Sequence, residues 1–250
     1  MSLMTRFRIG RHRRSVTSLD PDQLAGPFLV VAPHPDDESL GAAGLIALMQ
    51  RAGQDIRVVV VSDGSASHPN SRRFSRAGLA EQRAGETRRA LELLGVEPAR
   101  LDLWNDADGD VPAEGHPNFD RLVTRAAVML AEIRPGTLVL PWRADPHADH
   151  IATSAIWRAA LGRWGGQPRL LEYPVWLDLL PDLAERPPID RFRVLRLDIW
   201  PVLTAKRRAI EAHRSQTGLL IDDDPHGFRF DRAFRARFET GHETFFEWII

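Results

Sequence analysis

The chain has 250 residues, 43% hydrophobic and 27% charged, with a formal net charge of −1. This is the balance of one ordinary globular domain, long enough for a full core and without the global field that would suit nucleic acid. The absence of cysteine excludes disulfides and thiolate ligands, so any metal must be held by histidine and carboxylate, and no run approaches the ~20 apolar residues of a membrane span.

In chain order, Arg6, Arg8, Arg11, Arg13 and Arg14 form a basic run with His12. No apolar segment of signal-peptide type follows. Residues 1–20 are therefore expected to be a flexible basic tail, and residues 21–250 a single domain. Phe28 to Val31 reads as a buried strand and Ser39 to Arg51 as a helix. Ile56 to Ser62 is a second strand, ending at Asp63-Gly64-Ser65. The polar, Arg-rich Ser65 to Ser75 is expected to be a mobile loop. Ala77 to Gly95 reads as an amphipathic helix with apolar Leu79, Ala90, Leu91 and Leu94, closed by Gly95. Leu101 to Trp104 is strand-like. Asn118 to Ile133 is a helix stopped by Pro135-Gly136.

Thr137 to Pro141 is a further strand, and Ile151 to Leu161 a further helix. Arg169 to Trp176 and Phe192 to Ile199 read as strands separated by the Pro-rich stretch Pro181 to Pro188. Thr204 to Gln216 reads as a helix ending at Gly218. The tail from Asp222 to Ile250 is expected to dock Phe245, Phe246 and Trp248 onto the core. The alternation predicts an α/β fold, with a Rossmann-like, mostly parallel sheet, helices on both faces, and an irregular C-terminal portion with extra strands. No GxGxxG, Walker or GxSxG motif is present, which disfavours nicotinamide, nucleotide and serine-hydrolase chemistry.

Two turns carry the chemistry. Ala32-Pro33-His34-Pro35-Asp36-Asp37-Glu38 joins the first strand to its helix, and Trp142-Arg143-Ala144-Asp145-Pro146-His147-Ala148-Asp149-His150 follows the strand at Thr137. Both stand at the carboxyl ends of strands, where open α/β sheets bind ligands. A buried carboxylate without a partner is costly, and a divalent metal is the simplest partner. His34, Asp37 and His150 make a two-histidine, one-carboxylate set that leaves a coordination position open, as a catalytic zinc site requires. The competing reading has Asp36, Asp37 and Glu38 capping the next helix and His147 and His150 on a surface loop. The pairing of two such turns favours the metal, with Glu38 retained as a cap.

The same residues resemble the PIG-L/LmbE family of metal-dependent N-deacetylases, over roughly Leu29 to Gln216. The second motif differs from the usual His-Pro-Asp-His by Ala148. The resemblance implies His34, Asp37 and His150 as ligands of Zn2+, with Fe2+ equally compatible. It implies Asp36 as the general base, and a protonated His147 that stabilises the oxyanion or protonates the leaving amine. Asp149 would orient a histidine. Arg83 and Asp108 would contact substrate, Asp106 and Asp110 competing with Asp108 for that place. His213 lies in a segment similar to the family's His-x-Ser-Gln and either approaches the site or packs.

The implied activity is removal of an N-acetyl group from a GlcNAc-type sugar conjugate or related small molecule by a cytoplasmic enzyme. The alternatives are a deacylase of longer N-acyl groups or other amides, and a silent sugar- or partner-binding protein. One or two of Trp142, Trp157, Trp164 and Trp176 would form a sugar platform.

Overall fold

The computed structural model describes residues 16–177 and 192–249. The basic run at Arg6 to Arg14 and the Pro-rich stretch Pro181 to Pro188 lie outside the described residues. The described strands are β1 (Thr17–Ser18), β2 (Phe28–Ala32), β3 (Ile56–Ser62), β4 (Leu101–Asp106), β5 (Thr137–Pro141), β6 (Arg169–Tyr173), β7 (Phe192–Asp198) and β8 (His242–Trp248). They form one eight-stranded sheet in the order β1-β7-β8-β6-β5-β2-β3-β4. β2 pairs in parallel with both β3 and β5, and β8 is antiparallel to β6 and β7.

The helices are α1 (Asp37–Gly41), α2 (Ala43–Arg51), α3 (Arg76–Leu93), α4 (Phe119–Ile133), α5 (Ala148–Trp164), α6 (Leu203–Ala212) and the short α7 (Arg232–Arg235). Every residue of β2 and β5 is buried, because helices cover both faces of the sheet. Phe28 and Val30 point into one core with residues of α2, α3 and α6, while Leu29 and Val31 point into a second core with α4 and α5. This period-two division explains why the strands read as unbroken apolar runs.

The strand order reverses between β2 and β5. β3 and β4 extend the sheet on one side of β2, and β6 extends it beyond β5 on the other. Loops after β2 and β5 therefore diverge and open a crevice at the switch point. Both motif turns leave from these two strands.

Four local expectations are corrected by the fold. Thr17 and Ser18 pair with Leu195 and Arg196, so the sheet begins inside the segment read as a tail. The helix after the first motif is broken at Ala42, where φ is −138°. A Cβ on Gly41 would stand 2.0 Å from the Tyr173 ring, which keeps this corner tight. The loop 65–75, read as mobile, has its backbone held by two distant carboxylates. Asp223 accepts from the amides of Arg72 and Arg73 at 2.7 and 3.1 Å, and Asp224 accepts from that of Asn70 at 2.8 Å. The helix read to Gln216 ends at Ala212 and continues as a 3₁₀ turn, Arg214–Gln216.

The break at Ala42 is stabilised by a buried ion pair. Lys206 Nζ donates to Glu243 Oε1 at 2.6 Å and to the Leu40 carbonyl at 2.7 Å. Glu243 also accepts from the amides of Gly44 and Leu45 at the start of α2. One helix end and the next helix start thus share two side chains from α6 and β8. Among the described residues no helix is long and apolar enough to cross a membrane.

Glu243→Ala leaves a buried ammonium and two helix amides without their acceptor. Chemical denaturation should show a loss of about 3–5 kcal/mol. A change near zero would contradict this account of the helix break.

Candidate metal centre

His34, Asp36, Asp37 and Glu38 are all buried where the turn after β2 runs into α1. Three adjacent carboxylates in so small a volume repel one another unless each meets its own partner. Each does, and each partner comes from a different element.

Asp37 faces the histidines. Its Oδ2 accepts from the His34 backbone amide at 2.9 Å and lies 3.1 Å from His34 Nδ1 and 3.2 Å from His150 Nε2. Burial alone would raise the Asp37 pKa, but His150 and His34 hold its carboxyl far below the usual range. His150 is fully buried, and neither ring nitrogen makes a hydrogen bond of proper geometry. Burial would lower its pKa; Asp37 and Asp145 push it up to about 9.

These residues fit a small cation. Ligands ~2.1 Å from a tetrahedral zinc stand about 3.4 Å apart, close to the spacing of Asp37 Oδ2 from the two imidazole nitrogens. The far nitrogen of each imidazole faces a carboxylate, the arrangement by which metal-binding histidines are commonly oriented. His34 Nε2 faces Asp149 Oδ2 at 3.0 Å and Asp108 Oδ1 at 3.3 Å, and His150 Nδ1 faces Asp145 Oδ1 at 3.6 Å. His34, His147 and His150 also bring ring nitrogens within 4.8 Å of one another, as do His34, Asp108 and Asp149 their own donor atoms. A set with Asp37 would join an anionic donor to His150, whose nitrogens are otherwise poorly satisfied.

Asp36 is directed elsewhere. Its backbone has φ 132° and ψ −26°, a conformation that side-chain-bearing residues rarely adopt. Glu38 Oε2 accepts from the Asp36 amide at 3.1 Å, and the Asp36 carbonyl accepts from Ser39 and Leu40. Arg83 on α3 donates Nη2 to Asp36 Oδ2 at 2.8 Å and to the Pro35 carbonyl at 2.6 Å, and Nη1 to the Gly64 carbonyl at 2.7 Å. Gly64 has φ 68°, and a Cβ there would meet the guanidinium at 2.6 Å. Burial raises the Asp36 pKa and Arg83 opposes it, leaving it at about 7. The resemblance makes Arg83 a substrate contact; the structure gives its guanidinium first to Asp36, while it still lines the cavity.

Glu38, expected to cap the helix that follows it, lies inside α1 and accepts from the Asp36 amide behind it, and its other oxygen meets a histidine. Oε1 lies 3.1 Å from His213 Nε2 and accepts from Ser39 Oγ at 2.7 Å. His213 thus belongs to the shell behind Asp36.

His147 differs from its expected protonated state. It is the N-cap of α5, and its Nδ1 accepts the Asp149 amide at 3.2 Å. An amide can only donate, so the ring proton of His147 sits on Nε2. Burial and the neighbouring His34 and His150 lower its pKa, and the helix N-terminus acts in the same direction. Asp149, expected to orient a histidine, lies with Oδ2 3.0 Å from His34 Nε2. It also accepts from Gly109 and Val111 at 2.8 and 3.2 Å, fixing the β4 loop. Asp108 faces His34 and accepts from the Ala66 amide at 2.7 Å. Its burial would raise its pKa, but His34 holds it down to about 2.

Asp145 had no role assigned from the sequence, although it lies inside the second motif. Besides His150, it accepts from the amides of His147, Val175 and Trp176 at 3.2, 3.0 and 3.0 Å. The groups around the turn open into a cavity of 580 Å³.

A family profile described as PIG-L, GlcNAc-PI de-N-acetylase, matches residues 29–161. The chain is 32% identical over 160 residues to a 1D-myo-inositol 2-acetamido-2-deoxy-alpha-D-glucopyranoside deacetylase of Corynebacterium glutamicum, covering 56% of this chain and 55% of that protein. It thus spans about half the length of that relative. It is 28% identical over 226 residues to a 2'-N-acetylparomamine deacetylase of Streptomyces fradiae, covering 79% and 78%. Among solved structures, the conserved protein TT1542 of Thermus thermophilus superposes with a TM-score of 0.59 at 26% identity, over 84% of both chains.

His150→Ala should strip most of the metal that elemental analysis finds in purified protein, whereas His147→Ala should retain it. Equal losses in the two variants would place His147 among the ligands instead.

Proposed function

Because the chain belongs to the PIG-L (GlcNAc-PI de-N-acetylase) family, we propose that it hydrolyses the N-acetyl group of a GlcNAc-type sugar conjugate or related small molecule. The observation that carries this reading is Asp36. A carboxylate held in a strained backbone between Arg83 and Glu38, beside a His-Asp-His cluster and on the wall of one cavity, is an arrangement for proton transfer. Pure binding needs no such group, which counts against a silent protein.

His34, Asp37 and His150 would hold the ion. Zinc suits two histidines and a carboxylate, and ferrous iron suits the same donors. Such an ion supplies Lewis acidity to the acyl carbonyl and makes a nearby water easier to deprotonate. Asp36 takes the proton of that water as it attacks the carbonyl carbon. An Asp36 pKa near 7 matches the task, since a base works best when its pKa lies near the ambient pH. The neutral His147 presents its Nε2–H to the carbonyl oxygen as charge develops there. The proton that Asp36 has taken is the one the leaving nitrogen needs, because an amide ion is too poor a leaving group. Acetate and a free amine result.

Asp36→Asn should keep its metal yet lose ~10²–10⁴-fold in amine release from an N-acetylglucosaminide. Near-wild-type turnover would mean that another group is the base.

The pH dependence has a definite sign. Arg83 lowers the Asp36 pKa, while burial and Asp37 raise it. Removing Arg83 leaves only the raising influences unopposed by the guanidinium, so Asp36 holds its proton to higher pH. The acidic limb of the kcat/KM profile of Arg83→Met should therefore move to higher pH. A limb that stays in place, or moves down, would separate Arg83 from the base.

A further inference from the structure

The cavity lining is chemically mixed. It combines the polar Asp108 and Ser67 with the apolar Leu40, Pro146, Trp176 and Phe228. Trp176 and Phe228 are each half-buried, with their rings 5.3 Å apart. Behind them lie the buried rings of Phe230 and Phe234, and Phe234 contacts both. Among the described residues the wall is therefore backed by core, and Trp176 and Phe228 line the cavity in front of it.

It is also fixed relative to the chemistry. The Trp176 amide is held by Asp145, the carboxylate that faces His150 and accepts from His147. The Trp176 ring stacks on that of His147, with centroids 6.3 Å apart and planes 26° apart. The Phe228 amide donates to the Ser67 carbonyl at 2.9 Å, tying the far end of the wall to the loop after β3. Large aromatic faces left open on a cavity wall are the means by which pockets take apolar ligand groups.

Building on the N-acyl sugar reading, we propose that Trp176 and Phe228 form a subsite for an apolar substituent flanking the reactive amide. Two parts of a substrate can supply such a group, the acyl chain that leaves or an aglycone on the sugar. Both offer the same chemistry to the wall, a flat or flexible hydrocarbon of more than one carbon.

The test uses the metal-loaded protein and two series. In the first, methyl and phenyl N-acetylglucosaminides are compared; in the second, methyl glycosides carrying N-acetyl or N-hexanoyl groups. One series should show a gain of about tenfold or more in kcat/KM for the apolar member. Trp176→Ala and Phe228→Ala should each shrink that ratio, whatever they do to the parent substrate. The series that shows the gain identifies the source. Calorimetric binding of phenyl glucoside against methyl glucoside, and of hexanoate against acetate, reads the subsite without turnover. If the methyl N-acetyl parent is not hydrolysed, the deacetylase reading fails, and these binding ratios still decide the subsite. Ratios near one in both series and both binding pairs, or gains that survive both substitutions, would overturn the proposal.

Discussion

Three consecutive carboxylates, Asp36, Asp37 and Glu38, are each 4% exposed or less. A chain cannot bury three neighbouring charges of one sign without bringing each a counter-group. Here each counter-group is a different segment. Arg83 arrives from α3, His150 from α5, and His213 from the end of α6. The fold can be read as the set of crossovers that delivers these three side chains to one turn at the switch point of the sheet.

The same constraint divides the chemistry. Asp37, between two imidazoles, stays ionised, while Asp36, more weakly compensated, has its pKa raised to about 7. Two adjacent residues of one type thus acquire different tasks from their surroundings, one suited to a cation and one to a proton. Behind them, Asp149 and Asp145 face His34 and His150 and at the same time accept backbone amides of the loops after β4 and β6. The carboxylates that face the imidazoles therefore also hold the loops that line the cavity. A change in either loop would be felt at the histidines.

Much of this was legible in the chain. The boundaries of β3 and β5 agree with the apolar runs Ile56 to Ser62 and Thr137 to Pro141, because strands buried on both faces announce themselves as unbroken hydrophobic stretches. The two polar turns stood out because their residue types make no sense in a core. What was not legible depends on partners far away. The break at Ala42 is stabilised by Glu243, 198 and 199 residues beyond the amides it caps. The loop 65–75 is held by Asp223 and Asp224, about 150 residues downstream. The neutral state of His147 follows from its position as an N-cap, which the helix start assigned at Ile151 concealed. Asp145 was visible in the motif, but nothing local to it signals the amides of Val175 and Trp176.

On the proposed reading, the turn after β2 separates a cation-holding carboxylate, Asp37, from a proton-moving one, Asp36. Anomalous diffraction at the zinc edge, on crystals grown with zinc, tests it most directly. One peak is expected, bonded to His34, Asp37 and His150 at ~2.0–2.2 Å, with Asp36 outside bonding distance and still paired to Arg83. A peak bonded to Asp36 or His147, or lying between Asp108 and Asp149, would contradict it.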